Sequence, residues 1–346
     1  MNPQMNREYI LSFLEEILNI PSPTGYTKRI MERIGAEAER LGFAAEMTHK
    51  GGIIVTVPGR DHAGALGLTA HADTLGAMVR SVNATGTLRL TPVGGYMMQS
   101  IENEYCLIHT RDGRTYTGTI LTSHPSVHVY TDARDFKREE ANMEVRIDEP
   151  VRTKEDVAKL GIRPGDFISF DARAVLLGNG YIKSRHLDDK ASVAAIFGLL
   201  ESIRREGWTP ARTLRAIITN YEEIGHGASY IPGEITELIA VDMGAIGDDL
   251  TTTELDVSIC AKDSSGPYDY DMVSRLVSLA EQDGIPYAVD IYPHYGSDAS
   301  AALRAGHNIR AALIGPGVHA SHAMERTHIQ AIANTARLLA AYAQEA

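Results

Sequence analysis

Apolar residues recur with a helical period at Ile10, Leu11, Phe13, Leu14, Ile17 and Leu18, and Pro21-Ser22-Pro23-Thr24-Gly25 interrupts the run. The spacing predicts a helix over 7–20. A second apolar face, Ile30, Ile34, Ala38 and Leu41, stops at Gly42 and predicts a helix over 26–41. Between 43 and 58 the pattern changes to alternation, with Ile53, Val55 and Val57 after Gly51-Gly52, and 64–70 continues as an apolar strand. From 75 to 173, short alternating runs such as Thr87-Leu88-Arg89-Leu90 and Thr115 to Leu121 are separated by Gly, Asn and Asp turn residues. Short strands at such spacing predict a barrel or sandwich, with one helical patch at 154–160. Beyond it comes a long helix of small and apolar residues from Ala191 to Gly207. Strands at 214–221, 238–242, 286–291 and 311–314 then alternate with helices at 271–282, 299–304 and 329–343. Alternation of this kind predicts an α/β fold with a mostly parallel central sheet flanked by helices. Residues 1–74 and 174–346 then form one domain, and 75–173 an inserted β-barrel-like domain.

Three of these strands stop abruptly at metal-type side chains. Gly67-Leu68-Thr69-Ala70 runs into His71-Ala72-Asp73, Leu214–Tyr221 into Glu222-Glu223, and Leu238–Val241 into Asp242. Ligands of open α/β sheets bind beyond the carboxyl ends of strands, so these groups are expected to converge. Offset by two on a strand, His71 and Asp73 share a face, and the carboxylate is placed to fix the imidazole tautomer. Of the adjacent Glu222 and Glu223, one can bind a cation while the other serves as general base. Asp188-Asp189 precedes the long helix; an aspartate there is an ordinary N-cap, yet a carboxylate can also bridge two cations. His319, His322 and His328 follow Gly315-Pro316-Gly317 in an expected loop. His186, His226 and His294 are further candidates for the cleft, with Tyr292, Tyr295 and Ser297 as liners. Imidazole and carboxylate ligands suit zinc, cobalt or manganese rather than calcium. Five ligands around a shared carboxylate suit two ions about 3.5–4 Å apart.

Composition narrows the function classes. The 346 residues suffice for roughly two domains of about 100–200 residues. A formal net charge of -12 excludes a nucleic acid or an anionic membrane surface as expected partner. Two cysteines, Cys106 and Cys260, make neither a disulfide framework nor a thiolate zinc site. The first twenty residues lack the features of a signal peptide, and no run approaches the roughly 18 apolar residues of a membrane span. The expectation is a cytoplasmic protein. No G-x-S-x-G elbow occurs, which argues against a serine hydrolase.

The ordered motifs resemble the dinuclear metallo-aminopeptidases of the glutamyl and deblocking family, whose best-known members form tetrahedral particles. The resemblance runs from Ile20-Pro21-Ser22-Pro23-Thr24-Gly25 through His71-Ala72-Asp73, Val93-Gly94-Gly95, Gly161 to Asp166, Leu187-Asp188-Asp189-Lys190, Glu222-Glu223-Ile224-Gly225 and Val241-Asp242 to Gly296-Ser297-Asp298-Ala299. It implies that His71, Asp188, Glu223, Asp242 and a C-terminal histidine hold two divalent ions, zinc or cobalt with manganese also compatible. Asp188 would bridge them, Glu222 would be the general base, and Asp73 would orient His71. The implied activity is removal of N-terminal residues from short peptides. A related carboxypeptidase or amide deacylase with the same metal chemistry is the alternative. The inserted domain implies homo-oligomers, from dimer to dodecamer. Two positions depart from the family pattern. Thr74 stands where an acidic residue is usual, and Glu325 follows His322 by three residues rather than four. His322 is the expected last ligand, with His319 and His328 as alternatives.

Overall fold

A computed structural model describes residues 3–345. The first helix, Arg7–Leu18, starts where the Asn6 side chain accepts the Tyr9 amide (3.1 Å), and its stripe of Ile10, Phe13, Leu14, Ile17 and Leu18 is buried. Four parallel strands form the middle of a ten-stranded sheet, in the order Arg212–Thr219, Asp61–His71, Ile235–Val241, Arg310–Val318. One edge is extended antiparallel by Ile53–Val57 and Ala44–Met47. At the other, Val257–Asp263 runs antiparallel to Arg310–Val318 and parallel to Tyr287–Ile291.

Both sheet faces are covered, which is why the central strands read as continuous apolar runs. Leu66, Leu68 and Ala70 point to the core shared with helices Arg7–Leu18, Leu187–Glu206 and Ile329–Glu345. Ala65, Leu238 and Ala240 point to the opposite core, which holds Ala299 and Ala302 of helix Asp298–Arg304. Each fully buried Leu or Ile contributes about 1.5–3 kcal/mol. Six antiparallel strands between Gly76 and Phe170 close into a barrel with its own core of Val79, Leu88, Leu90, Ile108, Ile120, Val145 and Ile168. The fold is therefore the expected α/β sheet with a barrel-like β insert.

Three details differ from the sequence expectation. Strand 214–221 ends at Thr219, where its partner strand ends at His71 (Thr219↔His71). With no ladder left to follow, Tyr221 turns left-handed (φ 75) and Glu222–Ile224 forms a single 3₁₀ turn. Second, Val257–Asp263 is a strand that the sequence reading passed over. Third, the expected C-terminal loop contains strand Glu325–His328, which pairs with Tyr181–Ser184 in a separate three-stranded sheet.

Candidate metal centre

The chain order reverses direction at Asp61–His71: the next parallel strand, Arg212–Thr219, lies on one side and Ile235–Val241 on the other. A crevice forms at the carboxyl ends of strands at such a switch point. His71 ends the middle strand, Glu222 and Glu223 follow one neighbour, and Asp242 follows the other. Asp188 comes from the first turn of helix Leu187–Glu206, where Asp188 and Asp189 depart from helical dihedrals. His322 comes from the loop after Arg310–Val318. Asp242 is fixed by its amide on the Ile314 carbonyl (2.9 Å) and by Gly315, where a Cβ would lie 1.8 Å from the Asp242 carbonyl oxygen. Only glycine permits that approach.

Asp188 sits between the two imidazoles. Its Oδ1 is 3.2 Å from His71 Nε2, and its Oδ2 is 3.4 Å from His322 Nε2. Both rings are oriented alike. His71 Nδ1 donates to the Asp73 carbonyl (2.9 Å), and His322 Nδ1 donates to the Gly95 carbonyl (2.5 Å), on the segment leading out of barrel strand Leu88–Val93. With Nδ1 carrying the hydrogen, each Nε2 faces the carboxylates as a ligand atom. Glu223 Oε2 lies 3.6 Å from His322 Nε2, and Glu222 Oε2 lies 3.6 Å from His71 Nε2. Ligand atoms of His71, Asp188 and Glu223 lie within 4.8 Å of one another, as do those of His71, Asp189 and Asp242.

Asp73 orients His71 through its main-chain carbonyl, not its side chain. The carboxylate is 3.7 Å from Nδ1. It instead accepts the amides of Glu222 (3.3 Å) and Glu223 (3.4 Å) and the hydroxyl of Thr24 (2.7 Å). The carboxylate thus holds the turn that carries both glutamates.

The electrostatics are those of a site crowded with negative charge. Burial and then the Asp188 charge push Glu223 up to about 8 and Asp242 up to about 7. Burial likewise drives Glu222 well above the carboxylate range, with Asp242 and Asp298 adding to it against His71. Burial alone would lower both imidazoles. The surrounding carboxylates overrule it, raising His71 and bringing His322 to about 10. Burial also works against the Asp188 charge, but the two histidines hold its carboxyl below the usual range. The raised proton affinities mark positions where divalent cations would neutralise the same carboxylates. Asp189 fits this picture. Its Oδ2 accepts the His71 amide (3.2 Å), while its buried Oδ1 has no hydrogen-bond partner among the described residues. The donor set suits zinc, cobalt or manganese.

A cleft of about 480 Å³ opens over the cluster, lined by Asp188, Glu222, Glu223, Asp242 and His322, with His294, Tyr295 and Ser297 also on its wall. Other candidates fall elsewhere. Tyr292 is buried and bonded to Ser258. His226 stacks on Tyr221 (5.0 Å), and His186 lines a separate cavity of about 460 Å³ beside the barrel. His328 bonds to the Asn179 carbonyl (3.0 Å), and His319 is paired through its main chain with Arg326. The sequence reading missed the part of Asp189, although it stands beside Asp188. It also missed three buried or partly buried neighbours: Ser321, whose hydroxyl donates to Asp188 Oδ2 (2.9 Å); Asp298, bonded to Thr219 and to the Ala228 amide (2.7 Å); and Glu325.

The known relatives of this chain are aminopeptidases, and with this donor cluster the chain is a metal-dependent aminopeptidase, a hydrolase of peptide bonds. Residues 51–338 match the profile of the M42 glutamyl aminopeptidase family, and the chain belongs to that family. It is 51% identical over 335 residues to the Bacillus subtilis (strain 168) protein named "Putative aminopeptidase YhfE", covering 96% of this chain and 97% of the relative. Among solved structures, aminopeptidase APDkam598 from the archaeon Desulfurococcus kamchatkensis superposes with a TM-score of 0.89 at 23% identity, covering 98% of this chain and 96% of that one. The Pyrococcus horikoshii TET1 peptidase gives 0.85 at 23% identity, covering 97% and 100%. At that identity the likeness carries the fold.

Proposed function

We propose that the cleft holds two divalent ions, with His71, Asp188, Glu223, Asp242 and His322 as ligands and Asp188 shared between them. The observation that carries this reading is the Asp188 carboxylate, which turns one oxygen toward each of two imidazole Nε2 atoms, at 3.2 and 3.4 Å. Zinc or cobalt suits the donors, and manganese is compatible. When bound, such ions supply Lewis acidity to the scissile carbonyl and to water. Glu222 is the general base: it takes a proton from the attacking water and returns it to the leaving amine. The carboxylates lining the cleft favour the free α-amino group of an N-terminal residue, so short peptides are the substrates. Residues 1–74 and 174–346 form the catalytic domain. The insert 75–173 serves subunit contacts or substrate access in a cytoplasmic homo-oligomer, from dimer to dodecamer. The P. horikoshii relative is described as assembling into a tetrahedron or an octahedral shell, which supports that part of the reading. Among the described residues no helix is long and apolar enough to cross a membrane.

The test is a chelator-treated enzyme titrated with zinc, cobalt or manganese and assayed on aminoacyl p-nitroanilides and their N-acetylated forms. The expected result is activity that saturates at two ions per chain, on free amines only. Hydrolysis restricted to blocked substrates would sink the aminopeptidase reading in favour of a deacylase.

A further inference from the structure

Glu325 is buried at 2% exposure and is not among the residues assigned to the metals or to proton transfer. Its Oε2 accepts the amide of Asp188 (3.0 Å) and its Oε1 accepts the amide of His322 (3.2 Å). One carboxylate thus ties together the main chains of two proposed ligands that lie far apart in sequence. Among the described residues no Lys or Arg forms an ion pair with it, so these two amides are its partners. It opens strand Glu325–His328, where it pairs with Ser184, and the chain runs from Ser184 directly into the turn that carries Asp188.

The two halves of the site are held unequally. His71 is the last residue of a strand paired on both sides, and Asp242 hangs from the Ile314 carbonyl at 2.9 Å. His322 stands in a loop. Ala320 (φ 58) and His322 (φ 63) both adopt the left-handed conformation, which non-glycine residues keep only when their surroundings enforce it. The enforcing contacts are the Glu325 carboxylate on the His322 amide, the Gly95 carbonyl on the ring, and the Ser321 hydroxyl on Asp188. The His322 side chain remains 40% exposed, so packing does not hold it.

We propose that Glu325 is a positioning residue: it fixes the distance between Asp188 and His322 and thereby sets the affinity of the ion position flanked by Asp188, Glu223 and His322. The position flanked by His71 and Asp242 shares only Asp188 with it and is otherwise held by strand ends, so it depends on Glu325 far less. The proposal rests on the two-ion reading above.

The test compares wild type with E325Q and E325A, each stripped of metal and titrated with cobalt, following uptake by calorimetry and by the visible spectrum of the bound ion. The glutamine keeps the shape but turns an NH₂ group toward one of the two amides; the alanine removes both acceptors. The expected result is one ion weakened little and the other at least tenfold, with kcat restored in E325Q at excess metal and KM unchanged. Two affinities unchanged, both weakened alike, or activity that excess metal fails to restore would overturn the role of Glu325. A wild-type chain that takes up a single ion overturns the two-ion reading and this proposal with it. Should E325A fail to fold, the isosteric E325Q decides the question.

Discussion

Replacing Glu222 by glutamine separates proton transfer from cation binding. The side chain is only 13% exposed, and Oε2 stands 3.6 Å from His71 Nε2. Its main-chain amide is anchored on Asp73 Oδ1 at 3.3 Å. Glutamine has the same shape, so the turn and this anchor persist. The substitution removes one negative charge from a cleft where charges already oppose one another: Asp242, Asp298 and Glu223 all raise the proton affinity of Glu222. Ion uptake by the remaining carboxylates and imidazoles therefore has no reason to collapse. What disappears is the ability to accept a proton. A positioned general base contributes about 10²–10⁴ in rate, which is about 3–5 kcal/mol at 1.36 kcal/mol per tenfold. The expected result is kcat reduced by that factor, KM nearly unchanged and metal content equal to wild type. The assay pairs steady-state kinetics on an aminoacyl p-nitroanilide with elemental analysis of the same sample. E223Q is the counter-experiment, because loss of a ligand should show first in the metal content. An E222Q enzyme that holds its full complement of metal and turns over within a factor of ten of wild type would refute the assignment of Glu222 as base.

Metal-free protein should lose stability as pH rises from about 4 to 8. Asp242 and Glu223 titrate near 7 and 8 when folded, above their unfolded values of 3.8 and 4.5, so the folded state holds the extra protons and loses that advantage as they leave. Added zinc should abolish the slope in a thermal melt, and an unchanged melting profile with and without chelator would count against a cation cluster. D73N leaves one acceptor oxygen for the Glu222 and Glu223 amides and the Thr24 hydroxyl, so at least one buried donor loses its partner at about 1–3 kcal/mol. Thermal melts should fall accordingly and kcat should drop with metal retained, whereas wild-type kinetics would show that the carboxylate does not hold the turn. His109, bonded to Ser169 at 2.8 Å and stacked on Tyr26, is lowered to about 4 from 6.5, by burial first and Arg29 second. Its contribution is present above pH 6.5 and lost as pH falls through 4, at most about 3 kcal/mol at 1.36 kcal/mol per unit. H109Q should therefore flatten the acid limb of a denaturation series.

Much of this arrangement is visible in the sequence because strand ends are visible there. His71, Glu222, Glu223 and Asp242 each follow an apolar run, and the structure brings these runs side by side and parallel, so chain termination alone predicts convergence. The barrel insert is equally legible, since alternating residues such as Leu88 and Leu90 fill its core. Two kinds of feature were hidden. Strand Val257–Asp263 contains Ser258, Lys262 and Asp263 among its apolar residues, and Lys262 lies near an irregularity in its pairing with Tyr287–Ile291, so a two-residue period does not announce it.

The other hidden features are bonds to main chain. Asp73 acts on His71 through a carbonyl, Gly95 holds His322 through a carbonyl, and Glu325 acts through two amides. A peptide group carries no residue identity, so no spacing rule can point to it. The left-handed turns at Tyr221 and His322 share that property, because a non-glycine residue at positive φ is held there by contacts made across the fold. The consequence is an asymmetry in how mutations should behave. Changes at His71 or Asp242 alter a ligand on a strand end that the sheet itself keeps in place. Changes at Gly95, Ser321 or Glu325 alter none of the proposed ligands and still reach the centre, because His322 depends on groups from the barrel connection, its own loop and a small separate sheet.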